Sequence, residues 1–320
     1  MTSPTPAPVF LDCDTGIDDA LALAYLLAEP TVELVGVATV SGNVDATQGA
    51  RNTLDLLHLA GCDDVPVAVG EIQPMVGKYT GAVPYIHGAN GVGDVVLPRA
   101  ERSPVAATGP ELLITAARKH PGALRVVAIA PLTNLATALQ LEPELPTMVH
   151  SVTIMGGAMD TEGNVTPVAE ANIWNDPEAA KMVLDAGWSI TLVPLDVTKQ
   201  HVLTEPDRQR LLGSDDVLLH SLGQILDLYF DFYVTKYGER MCALHDPLAA
   251  VIAADAITTV DDIVTGSLDV ALTGDERGRT IHTATDDGGP IRVVLSTVQD
   301  VAPLLMDKLT AWRDAAALSH

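Results

Sequence analysis

Short apolar runs alternate with stretches of helical periodicity along most of the chain, and this alternation leaves few folds open. Val9-Phe10-Leu11 is apolar and stops at Asp12-Cys13-Asp14, and residues 17–28 then carry apolar side chains at helical spacing. Residues 32–40 read as a buried strand, 45–60 as a helix and 65–69 as another strand. After an interval rich in Gly and Pro the rhythm resumes. Helices are predicted near 111–120, after Thr133 and over 176–186, and strands over 124–130, 151–155 and 190–195. Such an order predicts an α/β protein: an open, mostly parallel sheet flanked by helices, with a Rossmann-like core. Residues 217–237 form a long helix candidate. The late segments 268–272, 280–284 and 291–295 read as strands of a small C-terminal β appendage. Residues 1–8 are expected to form a disordered tail and 9–320 one domain.

In open parallel sheets ligands bind beyond the carboxyl ends of the strands. The polar residues that follow the predicted strands are therefore the ones to weigh: Asp12 and Asp14, Asn43, the segment after Ile129, and Met155-Gly156-Gly157.

Charge narrows the partners. The chain has 42 acidic and 18 basic residues, a formal net charge of −24. Nucleic acid and anionic membrane both call for clustered Lys and Arg, so neither is expected as a partner. A small molecule is, and a hard-cation site built from carboxylates suits the balance. Three cysteines, Cys13, Cys62 and Cys242, are an odd count without CxxC spacing, which favours a reducing compartment. The N-terminus lacks the basic and apolar regions of a signal peptide, and no stretch is apolar enough to span a bilayer, so a cytoplasmic location is expected.

The turn Asp12-Cys13-Asp14-Thr15-Gly16-Ile17-Asp18-Asp19 packs four carboxylates into eight residues. Uncompensated, they repel one another. A helix N-terminus relieves part of this, and capping by Asp18 or Asp19 alone needs only one carboxylate. A divalent cation relieves more. The spacing is not that of an EF-hand, and Gly77-Lys78-Tyr79 does not make a phosphate-binding P-loop. The haloacid-dehalogenase phosphatase pattern, Asp-x-Asp-x-Thr, is a rival, although Gly16 stands where Thr or Val belongs.

Three further groups stand out. In Glu170-Ala171-Asn172-Ile173-Trp174-Asn175-Asp176-Pro177, the Asp-Pro pair reads as an N-cap followed by Pro. Glu170, Asn172 and upstream Asn164 are suited to sugar hydroxyls. His245-Asp246-Pro247 also reads as a cap with Pro, or as a metal ligand beside a histidine. Tyr229, Tyr233 and Tyr237 share one helical face, a stripe that suits either a core or a pocket for a planar base.

On the turn 12–19, Asn43, Pro131-Leu132-Thr133-Asn134, Met155-Gly156-Gly157, the segment 170–177 and His245-Asp246-Pro247, the chain resembles the inosine-uridine-preferring nucleoside hydrolases. The similarity runs from about Val9 to the C-terminal helix, in the expected order. The resemblance implies Ca²⁺ held by Asp14, Asp19 and Asp246, with the Ile129 main-chain carbonyl as a fourth ligand. It implies ribose contacts from Asp18, Asn43, Asn164, Glu170, Asn172 and the Met155 region. It makes His245 the leaving-group histidine and places Tyr229, Tyr233 and His87 near the base. It also implies a homodimer or homotetramer. The family often has Pro where Thr15 stands, and purine-handling members often have Phe where Ala171 stands.

The implied reaction is hydrolysis of the N-glycosidic bond of a ribonucleoside to free base and ribose. Positive charge grows on the ribosyl ring as that bond stretches. A carboxylate cluster supplies a compensating field, Asp14 with the metal activates water, and His245 donates a proton to the base. Two alternatives remain at this point: a ribose- or nucleoside-binding protein with structural calcium, and the phosphatase.

Overall fold

A computed structural model describes residues 5–255, 260–284 and 291–317. Its strands are β1 (Ala7–Cys13), β2 (Val32–Thr39), β3 (Val67–Val69), β4 (Leu124–Ala128), β5 (Val149–Met155), β6 (Ile190–Val193), β7 (Val202–Thr204), β8 (Met241–Ala243), β9 (Val260–Val270), β10 (Thr280–Ala284) and β11 (Ile291–Thr297). Nine of them form one sheet in the order β10-β9-β11-β6-β5-β4-β1-β2-β3. The pairs from β3 across to β11 are parallel, and β9 runs antiparallel to both β11 and β10. The expected mostly parallel sheet is therefore present. The late strands continue it: β11 pairs in parallel with β6 through Ile291 and Ile190 and carries the antiparallel ribbon at its edge. β7 and β8 make a separate two-stranded ladder.

Strand periodicity divides the core. Val9 and Leu11 of β1 pack into one apolar layer and Phe10 into the other, as side chains alternate across the sheet. The first layer includes the helices Ile17–Ala28, Ala46–Ala60, Val217–Tyr237 and His245–Ala253; the second includes Gly109–Lys119, Thr133–Leu141 and Pro177–Leu184.

Local chemistry fixes several element ends. Asp45 caps the helix Ala46–Ala60 by accepting from the N–H groups of Thr47 and Gln48, and Gly61 closes it with φ +73°. Asp176 caps Pro177–Leu184 through the Ala179 N–H, as its Asp-Pro pair predicts. The N-terminal expectation needs correction. β1 begins at Ala7, whose N–H donates to Thr31 O (2.7 Å), so the strand starts inside the segment expected as tail. Residues 1–4 of that segment lie outside the described residues. Among the described residues no helix is long and apolar enough to cross a membrane.

Candidate active site

The acidic turn lies at the carboxyl end of β1, in the middle of the parallel part of the sheet. Asp19 binds the turn's own backbone: its Oδ2 accepts from Gly16 N–H (2.8 Å) and its Oδ1 from Asp14 N–H (3.1 Å). One acid thus caps the helix Ile17–Ala28, and the others do something else. Asp14 reaches the loop after β2, where the Asn43 N–H donates to its Oδ2 (2.6 Å) and the Asn43 amide to its Oδ1 (3.0 Å). The same amide donates to Asp19 Oδ2 (3.1 Å) and so bridges the two carboxylates. Asp18 faces the helix Val217–Tyr237 and accepts from the Tyr229 hydroxyl (2.9 Å). Its other oxygen is buried with no hydrogen-bond partner among the described residues. A buried acceptor left unpaired costs about 1–3 kcal/mol, so this oxygen calls for a donor or a cation to pair it.

Asp246 reaches the same place from the far end of the chain. The helix starts at His245 with Leu244 as N-cap, so Asp246 lies in the first turn and is not the cap that its following proline suggests. One carboxylate oxygen each from Asp18, Asp19 and Asp246 lies within 4.8 Å of the others. The three expected carboxylate ligands were Asp14, Asp19 and Asp246. The cluster that meets this distance among the described residues contains Asp18 in place of Asp14, with Asp14 joined to it through Asn43.

All four acids are buried. Burial, reinforced by Asp19, holds Asp14 well above the usual carboxylate range. Burial and the charge of Asp18 push Asp19 up to about 7. Asp246 is also held high, by burial first and then by Asp18, Asp19, Asp14 and Glu170. The N-termini of two helices offset only part of this repulsion. An all-oxygen donor set with one unpaired buried oxygen and mutually repelling carboxylates fits a hard divalent cation.

The neighbouring strand ends supply the rest. Ile129, just after β4, and Met155, at the end of β5, turn their carbonyls toward Asn172, whose amide donates to both (3.2 and 3.1 Å). Glu170, expected in a loop, is the N-cap of the short helix Ala171–Asn175. Its carboxylate accepts from the N–H groups of Asn172 (2.9 Å), Gly157 (3.0 Å) and Ile173 (3.2 Å), while burial pushes it up to about 7. Asn164 is exposed, and its side-chain oxygen accepts from Ala171 N–H (2.9 Å).

Two histidines approach from opposite directions. The Ile17 N–H donates to His87 Nδ1 (3.1 Å), which leaves the proton of the neutral ring on Nε2. Burial lowers its pKa against the pull of Asp18, and the ring lies 5.4 Å from that of Tyr229. His245 lies between Thr198 (Nδ1, 2.7 Å) and Tyr233 (Nε2, 2.8 Å), and burial lowers it to about 4. Tyr229 and Tyr233 meet edge to face at 4.9 Å, and Tyr237 stacks on Tyr233 nearer the surface.

Not every acid of the motif joins the cluster. Asp12 is still inside β1, where Asn134 donates to its Oδ1 (2.7 Å); the same amide donates to Thr39 O (3.1 Å). Asn134 is thus a strut beneath the site. Three residues were missed in the sequence. Asp196 accepts from the N–H groups of Met159, Asp160 and Thr161 and fixes the loop after Gly157. Thr198 holds His245, and the Tyr79 hydroxyl donates to Gly42 O (3.2 Å) beside Asp14. Asp196 and Thr198 follow a predicted strand end, the signal that singled out the other positions.

Gly42 gives a direct test of this geometry. A Cβ there would lie 2.0 Å from Asp14 Oδ2, so Gly42→Ala must displace that carboxylate. A displacement of about 1 Å within an active site costs on the order of 10²-fold. Gly42→Ala is therefore expected to lower kcat/KM by about that factor. A variant within twofold of the parent would show that Asp14 need not stand where it does.

Comparison with known proteins follows the same residues. The sequence profile of the family described as "Inosine-uridine preferring nucleoside hydrolase" matches residues 9–303. The chain is 39% identical over 274 residues to a probable uridine nucleosidase 2 of Arabidopsis thaliana, covering 85% of this chain and 84% of that one. It is 37% identical over 276 residues to the inosine-uridine preferring nucleoside hydrolase of Crithidia fasciculata, covering 84% and 87%. Among solved structures, a purine-preferring ribonucleoside hydrolase from Gardnerella vaginalis superposes with a TM-score of 0.89 at 32% identity, covering 95% and 97%.

Proposed function

Because the chain belongs to the inosine-uridine preferring nucleoside hydrolase family and is an N-glycosyl hydrolase, we propose that it cleaves ribonucleosides to free base and ribose at a calcium site formed by Asp14, Asp19 and Asp246. The observation that carries this reading is the convergence of Asp19 and Asp246, from the two ends of the chain, beside Asp18, with Asn43 tying Asp14 to the same cluster. The Ile129 carbonyl, which accepts from the Asn172 amide (3.2 Å), would be the fourth protein ligand in this reading.

When bound, the ion supplies charge compensation for the carboxylates and lowers the pKa of a coordinated water. The residues do the rest. Asp14, fixed by two Asn43 donors, accepts the proton of the attacking water. The carboxylate cluster places negative potential beside the ribosyl ring, where positive charge develops. Asp18, Asn43, Asn164, Glu170, Asn172 and the Met155 region bind the ribose. His245 and Tyr233, hydrogen-bonded to each other through Nε2 and the hydroxyl (2.8 Å), form the leaving-group pair, with Tyr229 and His87 beside the base.

Relatives named for uridine and for purines leave both base classes as candidates, and the absence of a ring at Ala171 favours pyrimidines. The test is incubation with uridine, cytidine, inosine and guanosine, with free base read by chromatography and ribose by a reducing-sugar assay. Stoichiometric base and ribose are expected, fastest from uridine. Release of phosphate from nucleotides without free base, or binding without cleavage, would reject the reading.

A further inference from the structure

One hydroxyl outside the expected set determines how the leaving-group residues are protonated. Thr198 is the last residue of the short helix Leu195–Thr198, which follows β6. The helix is anchored on both sides: Leu195 N–H donates to Gly157 O (2.9 Å), and Asp196 holds the backbone of residues 159–161. Thr198 is fully buried, and among the described residues its hydroxyl has a single hydrogen-bond partner, His245 Nδ1 at 2.7 Å.

A hydroxyl has one hydrogen, and burying it without an acceptor is costly. With Nδ1 as the sole partner, the hydrogen must point there. Nδ1 is then an acceptor, and the proton of the neutral ring is on Nε2. That N–H donates to the Tyr233 oxygen (2.8 Å). Tyr233 accepts from His245 and keeps its own hydrogen for an acceptor other than the histidine, the neighbouring Tyr229 oxygen or a bound base.

Resting on the hydrolase reading above, we infer that Thr198 is a positioning residue: it fixes His245 as the Nε2–H tautomer and thereby turns the Tyr233 hydroxyl hydrogen toward the departing base. Without the Thr198 hydroxyl the ring is free to carry its proton on Nδ1. Nε2 then accepts from Tyr233, and the tyrosine hydrogen points back at the histidine. The base loses a donor although no residue that contacts it has changed.

The test separates this role from a structural one. Thr198→Val keeps the shape and removes the hydroxyl; Thr198→Ser keeps the hydroxyl. Residues that orient another functional group typically contribute 10–100-fold. Thr198→Val is expected to lower kcat for uridine and inosine by about that range, with KM within about twofold. On p-nitrophenyl ribofuranoside, whose leaving group departs without protonation, it should match the parent. Thr198→Ser should restore nucleoside turnover. Equal losses on both substrate types, or no loss on nucleosides, would overturn the inference. Nitrogen-15 NMR of the parent protein with labelled histidine gives a second readout that needs no variant. His245 should show an unprotonated Nδ1 and a protonated Nε2, and the reverse assignment would overturn the inference as well. Parent protein inactive on both substrate types would reject the hydrolase reading instead, while the NMR assignment still decides the tautomer.

Discussion

Replacing Asp14 with asparagine is expected to remove nucleoside hydrolysis almost completely, lowering kcat by about 10³-fold or more. Two effects add. The proposed general base is lost, a contribution of roughly 10²–10⁴-fold. The new amide also meets donors: Asn43 offers N–H groups to both Asp14 oxygens, so one of the two contacts becomes donor against donor. Initial rates on uridine and inosine, with thermal unfolding to confirm the fold, check this. Near-parental turnover by a folded Asp14→Asn protein would remove Asp14 from the proposed mechanism.

The second large effect concerns calcium and pH. In the ion-free protein, Asp14, Asp19 and Asp246 all have pKa values raised by burial and mutual repulsion, Asp19 to about 7. Their unfolded values are near 3.9. The folded state therefore binds more protons than the unfolded one, so the stability these groups contribute is full below about pH 4 and falls as pH rises through their folded values, the share of Asp19 being lost near pH 7. A bound cation reverses the sign, because it prefers the ionised carboxylates. Added calcium is thus expected to raise the unfolding temperature little at pH 5 and most above pH 8. At a hundred times Kd the gain is about 2.7 kcal/mol, which corresponds to roughly 4 °C in a chain of this size. Chelation should abolish activity and calcium restore it. An unfolding temperature and activity indifferent to chelator and calcium across this range would exclude a metal at the cluster.

The parallel sheet was legible because its strands are short apolar runs separated by amphipathic helices, a pattern with few alternative packings. The same logic pointed to strand ends, and Asp14, Asn43, Ile129 and Met155 all lie there. What the sequence concealed was mostly short or shared structure. β7 and β8 have three residues each and are separated by two helices, too little periodicity to register. Glu170 looked like a loop residue because its helix is a single turn. Asp12 and Asp14 are two apart and would share a strand face. The strand ends at Cys13, however, and the turn sends Asp14 to Asn43 while Asp12 stays under the sheet with Asn134. Composition cannot separate two acids that differ only in which side of a strand terminus they occupy. Thr198 is less visible still, since its importance comes from having a single partner, a property of packing.

The placement of Asp246 has a consequence for biosynthesis. Asp14, Asp18 and Asp19 emerge early during translation, whereas their fourth companion follows only after β6 and the helix Val217–Tyr237 have been made. Contacts so distant along the chain form late, after the intervening segments have collapsed. A nascent chain thus holds an incomplete acidic cluster for most of its synthesis, and the cluster closes only when the helix that carries Asp246 docks. Truncated products that lack this last carboxylate cannot complete it.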